Sequence, residues 1–282
     1  IPTAFNPDGT IYEKGLRNIV RFIMPHVHGF FPIGTYGSGP LMNLTDRKRA
    51  LEIIIDEVNG EIPLIAHVGS ADTNSAIELA KHAKASGAQA VAAISPYYSP
   101  NLPQDYLFRY FADIVDAVGD SNFPVFLYNN ARHSGNNISP ELLRRLAAYG
   151  LGGCKESSFD LIHYHFFQEA VKDFPDFNLI IGTEAIFVPA FQMGATACVC
   201  GIANVYPELV RKMYDEYMAG DIKAALKTQK HVLNVREVTK LGNSFAIVHY
   251  ILKLRGVDAG MCKRPLLPIP EDLEKKIKQS LI

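Results

Sequence analysis

Lys155 closes the apolar run "GLGGC", and the polar stretch "ESSFD" follows it. A lysine at the end of a strand ordinarily snorkels to water and stays protonated. Burial disfavours the charged form of such an amine, and the free amine is a nucleophile. It attacks a ketone to give a Schiff base. The resulting iminium withdraws electrons, so a C–C bond beta to it breaks or forms through an enamine. This chemistry needs a proton shuttle. Tyr128 ends the preceding apolar run, "FPVFLYNN", and carries a phenol of the right type. Thr35, in "GTYGSG", adds a hydroxyl able to pass the proton onward.

Positioning these groups requires a scaffold with many strand ends on one rim. Eight short apolar runs read as strands: "IPTAF", "HGFFPIGT", "IPLIAHVG", "AQAVAAIS", "FPVFLYNN", "GLGGCKES", "FNLIIGT" and "ATACVCG". Segments with apolar residues three and four apart separate them and read as helices. Thr45 is expected to cap "LTDRKRALEIIIDEV", and Thr73 to cap "TNSAIELAKHAKASG", which Gly87 should stop. "SPELLRRLAAYG" has Ser139 at the cap, Pro140 at the first helical position and Gly150 at the end. The alternation predicts an α/β fold with parallel βα units, and a closed (β/α)8 TIM barrel leads. A doubly wound open sheet is second, because no glycine-rich fingerprint follows the first strand. The expected barrel spans residues 1–220. Residues 221–282 read as a C-terminal helical extension packed on it, within one structural unit.

Functional groups of such a barrel belong at the carboxyl ends of its strands. There the chain places Thr35 and Tyr36, then Tyr97 and Tyr98 in "SPYYSP", then Tyr128, Asn129, Arg132 and His133. Lys155, Glu184 and Gly201 follow on later strands. Each has a plainer reading. "GTYGSG" serves equally as a βα turn or a phosphate cradle, Tyr128 as a core aromatic, and His67 as a hydrogen-bonded core histidine.

Composition narrows the classes. A net charge of −1 over 282 residues gives no field for nucleic acid or an anionic membrane. No apolar run is long enough to span a bilayer, and no signal peptide is evident. Four scattered cysteines suit a reducing cytoplasm better than a disulfide framework. Cys198 and Cys200 share a face of one strand but lack partners at metal-ligand spacing, so no metal site is expected.

"GTYGSG", "SPYYSP", "LYNNARHSG", "GCKESSFD" and "GATACVCGIANVYP" occur together in one order and spacing. In these motifs the chain resembles the N-acetylneuraminate lyase and dihydrodipicolinate synthase family of pyruvate-dependent class I aldolases. The resemblance runs from "PTAF" to "CKRPLLPI". It implies a (β/α)8 barrel with C-terminal helices, assembled as a homotetramer of tight dimers. It implies no metal and no organic cofactor, with pyruvate itself joined to the lysine. An aldehyde or keto acid is the second reactant.

On that resemblance Lys155 is the Schiff-base lysine and Tyr128 the proton-transfer tyrosine. Thr35 matches the first hydroxyl of the family turn G-[ST]-T-G-E; Tyr36 replaces the second and Ser38 the glutamate. Backbone N–H groups of the turn are then expected to hold the pyruvate carboxylate. Tyr98 matches a tyrosine that reaches a neighbouring subunit in the synthase branch. Tyr36, Tyr98, His133, Glu184, Val199 and Gly201 are the implied substrate-binding residues. The branches conflict. His133 stands where the synthase has an arginine, and Arg132 is one residue early. "LIAHVG", "VHY" and "CKRP" are similar to the sialic-acid lyases, yet Gly201 replaces their serine and Glu184-Ala185 their Asp-Glu pair. "GTYGSGPL" is similar to the ketodeoxygluconate aldolases. A 2-keto-3-deoxy sugar acid is the leading substrate class. The lysine-pathway synthase and a non-catalytic ketoacid-binding barrel are the alternatives.

Overall fold

The structure is a computed structural model and describes residues 1–120 and 122–281. Its helices are α1 Glu13–Ile23, α2 Leu44–Val58, α3 Thr73–Ser86, α4 Gln104–Val118, α5 Ala131–Ser134 and α6 Pro140–Tyr149. Then come α7 Leu161–Val171, α8 Phe187–Gln192, α9 Pro207–Met218, α10 Ile222–Thr239, α11 Ser244–Leu254 and α12 Glu271–Ser280. The strands are β1 Ile65–His67, β2 Ala90–Ile94, β3 Val125–Asn129, β4 Gly153–Glu156 and β5 Asn178–Ile181. The chain forms two compact units, one of Ile1–Ile62 with Cys200–Ile282 and one of Pro63–Val199.

The Pro63–Val199 unit is built on a parallel sheet in the order β1-β2-β3-β4-β5, each strand joined to the next through a helical segment. Parallel strands joined by helices are buried on both faces, which is why β2 and β3 are apolar almost throughout and buried at every residue. Helices α3, α4, α6 and α7 pack in that sequence along the unit. Apolar ridges fill the contact, with Leu107, Phe111 and Ile114 of α4 and Leu143 and Leu146 of α6 fully enclosed.

Of the eight runs read as strands, five form the β-strands above. The run at 195–201 is reduced to one parallel bridge between Cys198 and Ile181. The N-terminal run contributes Phe5 alone, which bridges Ile11 and Met261. The run from His28 has one bridge residue, Phe30, before the chain turns at Ile33, whose φ is +61°. Proline at position 32 and that left-handed residue end extended pairing there.

Two helix caps differ from expectation. Asn43, not Thr45, caps α2, its side chain accepting from Asp46 N at 2.7 Å. Asp72, not Thr73, caps α3, accepting from Ser75 N at 2.8 Å. Asn and Asp outrank Thr at this position, so each helix starts at the earlier, stronger cap. Ser139, Pro140 and Gly150 occupy their expected places on α6, and Gly87 ends α3 with φ +100°. In the other unit α9 packs on α10, and His249 of the "VHY" motif is buried. Desolvation lowers His249 to about 4, against a weaker opposing pull from the Ala259 carbonyl. It is a core residue.

The cap correction is testable by chemical denaturation. Asn43→Ala is expected to cost about 1 kcal/mol of stability. Thr45→Ala, inside the first turn, should lie within about 0.5 kcal/mol of the parent. Equal losses from both would return the cap to Thr45.

Candidate active site

Register places the chemistry of the Pro63–Val199 unit. Tyr128 of β3 is opposite Lys155 of β4, and Ile94 of β2 is opposite Tyr128. Residues in register on parallel strands share a face, and chain neighbours take opposite faces. Tyr128, Lys155, Ile94 and, two residues lower, His67 and Ala92 therefore line one side. Lys155 is only 7% exposed, and its Nζ lies 4.0 Å from the centroid of the Tyr128 ring. His67 meets the same ring edge-on, with centroids 5.9 Å apart at 88°. The small Ala92 between them permits that approach across β2. Ile94 N–H donates to His67 Nε2 at 3.3 Å, which makes Nε2 the acceptor and leaves the ring proton to Nδ1.

The phenol has a partner that sequence reading missed. Asn130 Nδ2 donates to Tyr128 Oη at 2.9 Å, and both residues are buried. Asn130 stands at the N-cap position of α5 but makes no side-chain cap bond. In the sequence the second asparagine of "YNN" reads as an ordinary loop residue.

The opposite face carries a second polar group. Glu156 is buried, and Asn129 Nδ2 donates to its Oε1 at 2.9 Å. Ser158 N–H and Oγ donate to the same carboxylate, the hydroxyl at 2.9 Å. His163 Nδ1, on α7, lies 3.4 Å from Oε1. The Glu156 carboxylate raises His163 above the ordinary histidine value, against desolvation. Protonated His163 therefore stabilises the fold below the unfolded-state value, and that contribution is lost as pH rises through the folded value.

Loops after β2 and β3 hold further candidates. Tyr98 has φ +84° and is 95% exposed; Tyr97 is half-buried. Asn136, buried and also missed, clamps this loop. Its Nδ2 donates to Pro96 O at 2.7 Å and Ser99 O at 2.9 Å, and its Oδ1 accepts from Leu102 N–H at 2.8 Å. His133 is exposed on α5. Desolvation by the chain around its ring, and then the Arg132 charge, hold it below the ordinary value. Arg132 is stacked on the Phe159 ring at 4.1 Å. Glu184 is buried in a short 3-10 turn whose start Thr183 caps. Val199 is half-buried and donates its N–H to Ile181 O at 2.8 Å.

The remaining three candidates belong to the other unit. Thr35 and Tyr36 lie in the glycine turn, both half-buried. That turn is wound tightly on Ile33: a Cβ at Gly37 would approach the Ile33 backbone to 2.9 Å. Thr3 Oγ1 donates to Gly37 O at 2.8 Å and ties the turn to the N-terminal segment. Ser38 N–H and Gly39 N–H are already engaged with Thr35 O and Gly34 O, so of the turn's amides these two are not the ones to hold an anion. Tyr36 and Gly201 are brought together, since a Cβ at 201 would lie 2.7 Å from Tyr36 Cε2. Phe245 packs on Tyr36, with centroids 5.4 Å apart. Among the described residues, no three His, Cys, Asp or Glu side chains are grouped to hold a metal, and no helix is long and apolar enough to cross a membrane.

Residues 1–282 match the model of the dihydrodipicolinate synthetase family. An uncharacterised DapA-like lyase of Halobacterium salinarum is 34% identical over 274 residues, 96% of this chain and 88% of its own length. The 4-hydroxy-tetrahydrodipicolinate synthase of Methanopyrus kandleri is 33% identical, over 96% of this chain and 89% of its own. Among solved structures, YagE from E. coli K12 in complex with pyruvate superposes with a TM-score of 0.94 at 23% identity, covering 100% of this chain and 95% of its own. KD(P)GA from T. tenax superposes at 0.90 with 26% identity, covering 100% and 95%. The fold class shared with these structures is α/β, a (β/α)8 barrel with C-terminal helices. The chain belongs to the dihydrodipicolinate synthetase family, a family of lyases and aldolases.

Proposed function

We propose that the chain is a class I aldolase that joins pyruvate to Lys155 as a Schiff base and makes or breaks a C–C bond to it. The observation that carries this reading is the buried Lys155 amine lying 4.0 Å over the Tyr128 ring, on adjacent strands. Lys155 Nζ adds to the C2 ketone of pyruvate. The carbinolamine hydroxyl leaves as water with a proton from Tyr128, giving the iminium and a phenolate. The phenolate then takes a proton from C3, and the enamine attacks an aldehyde; the reverse sequence cleaves a keto acid. On the motif resemblance Thr35 is assigned the onward proton relay and the glycine turn the carboxylate.

The leading substrate class is a 2-keto-3-deoxy sugar acid. The likeness to KD(P)GA and the "GTYGSGPL" turn support it. His133 occupies the place of the synthase's arginine, and Arg132 is engaged with Phe159, which disfavours the synthase as first reading. Relatives named 4-hydroxy-tetrahydrodipicolinate synthase keep it as the second. A side chain at 201 would require the Tyr36 ring to move, which counts against the sialic-acid lyase pattern. Glu184 and Val199 complete the expected contacts. Free cysteines suit a reducing cytoplasm. Tyr98, fully presented in a strained loop, is read as a contact to a second subunit of a homotetramer.

Borohydride trapping with pyruvate, followed by mass spectrometry and a screen of aldehydes and sugar acids, tests the reading. Lys155→Ala and Lys155→Arg should each abolish the trapped mass and turnover, since guanidinium remains protonated. Full activity in Lys155→Ala would remove the mechanism. Tyr128→Phe should lower turnover by about 10²- to 10⁴-fold with the fold intact; an unchanged rate would exclude the shuttle. Sedimentation at micromolar concentration should show a homotetramer, and Tyr98→Asp should shift it toward smaller species. A monomeric parent would overturn the subunit contact.

A further inference from the structure

Asn130 stands one residue before α5, where an asparagine side chain ordinarily accepts a hydrogen bond from the first helical turn. Here it makes no such bond. The side chain turns back along β3, and Nδ2 donates to Tyr128 Oη at 2.9 Å. Its Oδ1 is enclosed and has no hydrogen-bond partner among the described residues. Both the forgone cap and the buried unpaired acceptor oppose stability. Neither serves the fold. The one bond gained is to the phenol oxygen.

An amide N–H on a phenol oxygen discriminates between the two states of that phenol. It strengthens when the oxygen carries negative charge, because charge-assisted hydrogen bonds are about twice as strong as neutral ones. We propose that Asn130 is a positioning residue that steadies the phenolate form of Tyr128 and aims its O–H away from α5. The inference rests on Tyr128 as the proton shuttle and names the group that sets its acidity. When the phenol gives its proton to the departing hydroxyl, the charge left on Oη is met by Asn130 Nδ2. When the phenolate recovers a proton, that bond relaxes to an ordinary one. Within the unit, Lys155 from β4 and His67 from β1 are titratable groups that face the Tyr128 ring. Both are unchanged in Asn130 variants, so their contributions cancel in comparison.

The test is a titration of the Tyr128 phenol by NMR on protein labelled at tyrosine Cζ, its signal assigned by loss in Tyr128→Phe. Asn130→Ala should raise the Tyr128 pKa by about one unit, the difference between a charge-assisted and a neutral hydrogen bond. Asn130→Asp should raise it further, since a carboxylate donates nothing and adds like charge. Asp is close in size to Asn, so that effect is not one of lost packing. An unchanged pKa in Asn130→Ala, or a pKa in Asn130→Asp no higher than the parent's, would overturn the proposal. The kinetic counterpart is exchange of pyruvate methyl hydrogens in D2O, which needs no aldehyde. Asn130→Ala should slow it about tenfold while borohydride still traps pyruvate on Lys155. Equal exchange rates would also count against it. The titration uses no substrate, so a parent protein that formed no adduct with pyruvate would remove the aldolase reading alone.

Discussion

The register between β3 and β4, with Tyr128 opposite Lys155, governs the layout of the site. A slip of one residue would carry Lys155 to the helix-covered face and bring Glu156 inward. Because the pleat alternates, two oppositely charged chain neighbours are kept on opposite sides of the sheet. The amine therefore has an aromatic face beside it rather than a carboxylate. A site needing a reactive amine could not tolerate the pairing that the sequence "KE" would otherwise invite.

What holds that register is found largely on the face away from Lys155. Glu156 is buried, and a buried carboxylate is tolerated only when hydrogen-bonded. Asn129 supplies a bond from β3, Ser158 from the loop after β4, and His163 approaches from α7. Two strand ends and a helix start are thus tied to one anion immediately after Lys155 in the chain. Asn136 does the same for the loop after β2, bonding three backbone carbonyls and one N–H. These polar clamps fix loop positions where apolar packing alone would leave alternatives.

In the other unit the same economy of space appears as a steric pairing. Tyr36 takes the room that a side chain at 201 would need, so an aromatic at one position and glycine at the other are mutually dependent. Phe245 confines the ring from a further direction.

By itself the sequence determined the α/β alternation, the family and the bounds of α6, because these follow from apolar period, capping chemistry and strand-end motifs. It also singled out Lys155 and Tyr128, because several polar strand-end motifs converge with them in one order and spacing. Tertiary structure decided what short-range pattern cannot encode. Three of the eight apolar runs keep only one bridging residue each, because strand length depends on the partner backbone and not on composition. The caps moved to Asn43 and Asp72, where competing residues two and one positions apart were resolved by geometry. Asn130 could not be singled out from a loop-like "NNA", since its meaning lies in a side-chain direction that only the turn after β3 sets. The dependence of Gly201 on Tyr36 spans 165 positions of sequence and exists only because folding brings the Tyr36 ring against Gly201.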